Sequence, residues 1–465
     1  MHYPFWYVPG LTSPMLIAFI AVLHVLVSSY AVGGGLFLAM EVRYAHRTGN
    51  KEYLAYLKHH TWFFVLLTVA YGAITGVGIW WTIGLASPLP TEFLIHTFVF
   101  GWAMEYVFFV IEIVAAFIFY YAWDRLKPRV HEQIGWIYGL SAWISLVIIT
   151  AVTSFMLNPG NWQNNFWLAV LNPQTFPQIL ARTGASLLLA TLYVFLHSSF
   201  RANSASVRTL IAQRSSRPAM LGAVLILLGG LGWLLTLPES ARAALTGAAA
   251  LNIMAVMIFL LTVIVLFMFY YGPYKNPSWV SPGFAIVLFV LGLIVTAEGE
   301  FVREAVRKPF VIYNEVYSHN VLKNEVPTLQ LTGFLNGGIW TKHYITRRFP
   351  EIKTADGRID NARLATLPHD SQVEVGHTIF QYHCGSCHAS SGYSGMKEML
   401  RGWDAPMLEK LILNLDRYHY FMPPWSGTPE EAKMLTRYLE TLTSPHPIQS
   451  AEGRPSRGKF SASAR

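Results

Sequence analysis

The sequence predicts an all-α protein: a polytopic membrane bundle of about eight transmembrane helices, followed by a smaller and more polar all-α domain. Three observations carry this. The 465 residues are 53% hydrophobic and only 13% charged, where a soluble domain carries about 25% charge. Apolar runs long enough to cross a bilayer core recur through the first two thirds of the chain. From about residue 298 the composition turns polar, and the only two cysteines lie beyond that point, at 384 and 387.

The spans are expected at about 12–40, 61–85, 93–122, 133–157, 179–199, 219–237, 244–271 and 282–297, the last free to extend past Glu298. The loops between them alternate in charge. One set holds Arg43, Arg47, Lys51 and Lys58, then Arg125, Lys127 and Arg129, then Arg201, Arg208, Arg214 and Arg217, then Lys275. The other set, near 86–92, 158–178 and 238–243, is almost free of Lys and Arg. The positive-inside rule places the first set in the cytoplasm and both ends of the chain outside. Trp80, Trp81, Trp162 and Trp167 fall near the outer helix ends, where an aromatic belt forms. The net charge of +8 is therefore a topology signal. The expected surface partner is membrane lipid, not nucleic acid. The opening MHYPFWYVPGLTSP lacks a basic region and a small-residue cleavage site, so no signal peptide is expected.

Beyond the spans, 300–320 reads as an amphipathic outer segment, 326–340 as a short interfacial stretch and 353–370 as an irregular linker. The tail after about 445 is rich in Ser, Pro and Arg and is expected to be disordered. The domains expected are 1–310 in the membrane, 311–370 as connector, 371–445 as the C-terminal domain and 446–465 as tail.

Cys384, Cys387 and His388 spell C-x-x-C-H in QYHCGSCHAS. That is the attachment pattern of a c-type haem: two thiols bond the porphyrin edge and the adjacent imidazole meets the iron. A redox dithiol would want a βαβ pattern around it, and a zinc site needs more soft ligands than two cysteines unless histidines fill in. Gly376 and Phe380 precede the first Cys; FMPPWSGTPEEAKMLTRYLETL follows, with Met422 in a Met-Pro-Pro loop before a helix. This region resembles the class I cytochrome c domain. The resemblance implies His388 and Met422 as axial ligands, with Met396, Met399, Met407 and His419 as rivals to Met422. Haem c is matured on the outer side of the bacterial membrane, which agrees with the topology read from the loops.

Ionisable side chains inside spans are expensive and mark function. His24 lies mid-run in IAFIAVLHVLVSSYAVGGG, and a haem ligand and a hydrogen bond to a neighbouring helix are both open to it. Gly33, Gly34 and Gly35 allow a helix or a flat cofactor to come close. Glu105 and Glu112 are seven apart, two turns along one face, as in a proton path; a structural pairing with Arg303 or Arg307 is the alternative. His59, His60 and His197 read as interfacial.

The membrane part resembles subunit I of the cytochrome bd oxidases over roughly 10–310. His24 with LFLAMEVRYAHRTG carries the likeness, as do Glu112 eleven residues ahead of Trp123-Asp124-Arg125-Leu126 and the Glu304-x-x-Arg307 of TAEGEFVREAVRKPF. The resemblance implies His24 as axial ligand of one high-spin haem and Glu304 as the carboxylate at the other. It further implies Glu112 as the proton-path acid and Arg307 as a haem-propionate partner. Glu105 lies one residue off the family's second acid, and Met254 falls where the family has a ligand of its low-spin haem b. The membrane cofactors implied are haem b and/or haem d, and the partners are a second membrane subunit and respiratory or periplasmic cytochromes. Two departures stand out. Arg182 in ILARTGASLL occupies the place of the low-spin haem's histidine, and little more than LPESARA joins helices 6 and 7, where the family has its quinol loop. The expectation is an inner-membrane oxygen reductase that has exchanged quinol for a periplasmic haem c as its electron entry. A pure electron carrier without oxygen chemistry is the competing reading.

Overall fold

The computed structural model describes residues 1–8 and 10–443; the expected disordered tail lies outside the described residues. Eight helices are long and apolar enough to span a membrane: α1 Ser13–Thr48, α2 Lys51–Ala86, α3 Val99–Tyr121, α4 Pro128–Phe155, α5 Thr175–Arg201, α6 Ala205–Leu235, α7 Ala249–Tyr274 and α8 Pro282–Ala305. Their number and order are as expected. α8 continues through Glu298, and α1 runs well past its expected end at 40.

The chain divides into two compact units. One gathers Ser13–Val326 with Asp416–Pro423; the other gathers Met1–Thr12, Pro327–Leu415 and the segment from Pro424 onward.

In the membrane unit, α1 packs on α2, α4 and α5, and α5 packs on α6 and α8. These contacts rest on missing side chains. A Cβ on Gly33 would lie 2.0 Å from the Ser186 carbonyl oxygen of α5. Gly184 and Gly222 face each other across α5 and α6, each with a Cβ position within 2.6 Å of the other's carbonyl oxygen. Lipid tails give apolar helices no reason to prefer one another, so close backbone approach decides which pairs form. α2 carries a π-helical stretch at Leu66–Tyr71, which re-phases the helix between its first and second halves. After α8 a three-residue turn joins β1 Phe310–Ile312 to β2 Val316–Tyr317 in an antiparallel pair, where an amphipathic segment was expected.

In the other unit, residues 326–340 break into short helical turns, so among the described residues there is no ninth span. The longer helices here are α9 Ile339–Arg348, α10 His369–Ile379, α11 Ala405–Ile412 and α12 Pro429–Thr443. α10 and α12 cross closely: a Cβ on Gly376 would meet the Met434 carbonyl oxygen at 2.0 Å. One carboxylate ties the unit together. Glu431 is fully buried at the start of α12 and accepts from the Phe334 N–H at 2.7 Å, the Leu335 N–H at 2.8 Å and the Thr428 N–H at 2.9 Å. Burial still pushes its pKa up to about 7.

Gly33→Ala forces two helix backbones apart. Overpacking of this kind costs about 1–3 kcal/mol, read as a lower yield and lower melting temperature of the purified membrane protein. Glu431→Gln keeps the shape but offers one acceptor oxygen where two are used. The loss expected is about 1–3 kcal/mol, measured by thermal unfolding.

Candidate haem and proton-transfer sites

His24 of α1 faces the second half of α2. Its Nδ1 lies 3.1 Å from Thr75 Oγ1, and that hydroxyl donates to the Tyr71 carbonyl oxygen at 2.9 Å. The hydroxyl proton is thus directed at the carbonyl, so His24 Nδ1 is the donor of the pair and Nε2 carries the lone pair. Gly76 lies under the ring, where a Cβ would stand 3.2 Å from His24 Cε1. A histidine oriented this way by a hydroxyl on its other nitrogen is arranged as metal-ligating histidines are. The glycines at 33–35 serve packing: Gly33 meets α5, Gly34 meets Phe64 and Tyr30, and Gly35 meets Tyr138.

The two carboxylates of α3 each meet a hydroxyl of antiparallel α4. Tyr138 donates to Glu112 at 3.1 Å, and Ser145 donates to Glu105 at 2.8 Å. Seven residues separate each pair in its own helix, so the acids and their hydroxyls form a matched ladder. Neither acid pairs with Arg303 or Arg307, the alternative open from sequence. Those arginines hold acids of α8 and its end: Arg303 donates to Glu300 at 2.8 and 2.9 Å, and Arg307 donates to Glu304. Arg182 lies in electrostatic range of Glu300 and Arg303. Met254 of α7 packs against the buried cluster that includes Leu251, Val302 and Val306.

Around this end of α8 two buried polar atoms lack partners among the described residues: Arg307 Nε and Glu298 Oε2. Arg307 also reaches Met156 Sδ at 3.1 Å and the Val311 carbonyl at 3.4 Å, yet its Nε–H remains unmet. An orphaned buried donor beside a carboxylate fits an acidic group that the polypeptide itself does not supply.

In the C-terminal unit Cys384, Cys387 and His388 share one turn: the Cys387 and His388 N–H groups both donate to the Cys384 carbonyl, at 3.0 and 2.9 Å. Neither cysteine forms a disulfide, and both residues are partly exposed. His388 Nδ1 lies 3.3 Å from the Ser394 carbonyl oxygen, which only a protonated Nδ1 can satisfy. Nε2 then carries the lone pair, the same device as at His24. Burial pushes the Cys384 thiol up to about 12, far from the depressed value of a reactive dithiol. No group of three His, Cys, Asp or Glu able to hold a metal occurs among the described residues, so a zinc site has no support. The residues fit haem c attachment. Met422 lies in the Asp416–Pro423 segment, its N–H donating to the His419 carbonyl at 2.9 Å. Of its rivals, Met399 and Met407 are exposed and Met396 is buried in the core of its unit.

Residues 13–234 match the model of the family described as cytochrome bd terminal oxidase subunit I. Over those residues the membrane part is similar to bd subunit I. Among solved structures the chain is similar to that of the bd oxidase from Geobacillus thermodenitrificans, with a TM-score of 0.56 at 18% identity, over 64% of this chain and 87% of that one. At that identity the likeness concerns the fold. No curated protein matches the chain.

Sequence reasoning missed one cluster. His60 and His197, expected at the interface, are buried, His60 completely. The position of each histidine at the edge of an apolar run was the available signal; their pairing across two helices was not.

Glu112→Gln should lower turnover by about a hundredfold or more, within the 10²–10⁴ span of a positioned acid–base group, and leave haem spectra unchanged. Oxygen consumption with and without the substitution is the measurement.

Proposed function

We propose that this chain is the haem-bearing subunit of a membrane oxygen reductase of the bd type, fed by a covalent haem c instead of quinol. The observation that carries this is the pairing of a bd-type membrane unit with a one-turn Cys384, Cys387 and His388 site whose imidazole is oriented for ligation. Bound haem supplies electron transfer and oxygen chemistry; the chain supplies ligands, position and protons.

In this reading Cys384 and Cys387 fix the haem c edge and His388 with Met422 hold its iron. His24 and Glu304 hold membrane haem of type b or d, and Arg307 Nε meets a propionate. Met254 is left beside a low-spin site whose histidine is replaced by Arg182. That guanidinium, balanced against Glu300, offers no ligand, which supports the loss of the low-spin haem. Only residues 236–248, mostly the short helix Glu239–Gly247, join α6 to α7, which supports the absence of a quinol loop. Glu105 and Glu112, each hydrogen-bonded to a hydroxyl, hold and pass protons along α3. The eight apolar helices place the protein in a membrane as a multi-pass chain. The alternation of basic loops supports an inner-membrane setting with the haem c unit on the periplasmic side, a periplasmic cytochrome as donor and a second membrane subunit as companion.

The deciding experiment is a carbon monoxide difference spectrum of the purified, dithionite-reduced complex. A high-spin signal separate from haem c supports the oxidase. Its absence means that every membrane haem is capped or missing, and the electron-carrier reading replaces it. His24→Ala should abolish a membrane high-spin haem while haem c stays attached, as read by pyridine haemochrome content. Met422→Ala should keep haem c covalently bound and shift its potential; an unaltered spectrum would move the sixth ligand to one of the other candidates.

A further inference from the structure

His60 of α2 and His197 of α5 bring their Nδ1 atoms within 3.0 Å inside the membrane unit. His60 Nε2 lies 3.0 Å from the Tyr30 hydroxyl of α1. The Tyr56 hydroxyl braces the pair, 3.2 Å from His197 Nδ1 and 3.5 Å from His60 Nδ1. Phe63 stacks on His197 at 4.9 Å, and Phe37 and Phe64 close the cluster on His60 and Tyr30. Tyr30 is stacked on Tyr193 at 4.3 Å.

The partners of His60 distinguish this cluster from a structural one. His131 Nε2 meets the Phe119 carbonyl at 2.9 Å, an acceptor that fixes its proton permanently. His60 meets no such group in these bonds: an imidazole nitrogen on one side and a phenol hydroxyl on the other can each donate or accept. The same three atoms therefore accommodate two proton placements. In one, Tyr30 donates to Nε2 and Nδ1–H donates to His197. In the other, His197 donates to Nδ1 and Nε2–H donates to Tyr30.

We propose that His197, His60 and Tyr30 form a proton relay into the membrane unit, separate from the Glu105 and Glu112 ladder and deepening the oxidase reading on which it rests. Each passage moves one proton and no electron: a proton taken up at the imidazole pair is matched by one released toward Tyr30, and reversal of the tautomers restores the start. The entry is the basic end of the bundle. There His59 is exposed, with its ring 5.4 Å from His197, and Lys58 pairs with Asp124 at the surface. Beyond the Tyr30 hydroxyl the proton passes to a water molecule, because the glycine run of α1 beside the Tyr30 ring carries no side-chain group that can accept it. Tyr30 is six residues from His24, about 9 Å along a helix.

The test uses the purified complex with His60→Phe, His197→Phe and Tyr30→Phe. The expected result is oxygen turnover lowered at least about tenfold in the histidine variants and several-fold in Tyr30→Phe, with a larger solvent deuterium isotope effect. Haem content and the carbon monoxide spectrum should stay those of the wild type, which a merely structural role would not preserve alongside slow turnover. Wild-type turnover in His60→Phe or Tyr30→Phe overturns the relay. Should the histidine variants lose haem, Tyr30→Phe decides, because it removes one hydroxyl and keeps the stacked ring. If the wild type itself consumes no oxygen, the oxidase reading has failed, and the redox-induced infrared difference spectrum decides the relay. Imidazole and tyrosine bands that disappear in the His60 and Tyr30 variants uphold it; their absence from the wild type overturns it.

Discussion

The hydrocarbon core of a membrane offers no water to a polar group, and the organisation of the membrane unit follows from that. Every polar side chain placed there must find a partner within the protein or exact a cost in stability. Glu105 and Glu112 meet hydroxyls of α4, His24 meets Thr75, and His60 meets Tyr30 and His197. These partners lie on other helices or on re-phased parts of the same bundle, so satisfying them also fixes which helices touch. The unmet Arg307 Nε and Glu298 Oε2 are informative for the same reason: they mark where the polypeptide alone leaves the account open.

Close helix approach makes those pairings possible. Gly33 lets α1 reach the backbone of α5, and the Gly184 and Gly222 contact brings α5 against α6. α1 thereby becomes the element on which the proposed functional groups converge. His24 and Tyr30 belong to it, and its glycine run carries contacts to Phe64, Tyr30 and Tyr138. The C-terminal unit solves a different problem with different means. It folds in shorter helices around a fully buried Glu431 whose carboxyl accepts three backbone N–H groups. A charge-assisted anchor of that kind holds irregular segments that have too little apolar surface of their own.

One orienting device recurs in both units. His24 and His388 each have Nδ1 engaged by an oxygen, through Thr75 in the first and Ser394 in the second. A histidine held this way presents Nε2 in a fixed direction. His60 lacks that constraint, being bonded at both nitrogens to groups that can exchange roles. The chemistry available to an imidazole is therefore decided by whether its partner is a fixed acceptor or an amphoteric one.

The sequence by itself determined the eight spans, because length and hydropathy are properties of contiguous residues and survive without knowledge of neighbours. It also determined the one-turn grouping of Cys384, Cys387 and His388, which spacing alone imposes, and the seven-residue step between Glu105 and Glu112. Tertiary structure decided what these groups face. The ladder of Tyr138 and Ser145 opposite the two acids depends on the register of α3 against α4, which hydropathy does not encode. The burial of His60 and His197, 137 residues apart, depends on α2 and α5 meeting. A histidine at the edge of an apolar run reads the same whether it ends at the interface or in a shared core. Only the packing of small residues, acting between distant segments, separates the two.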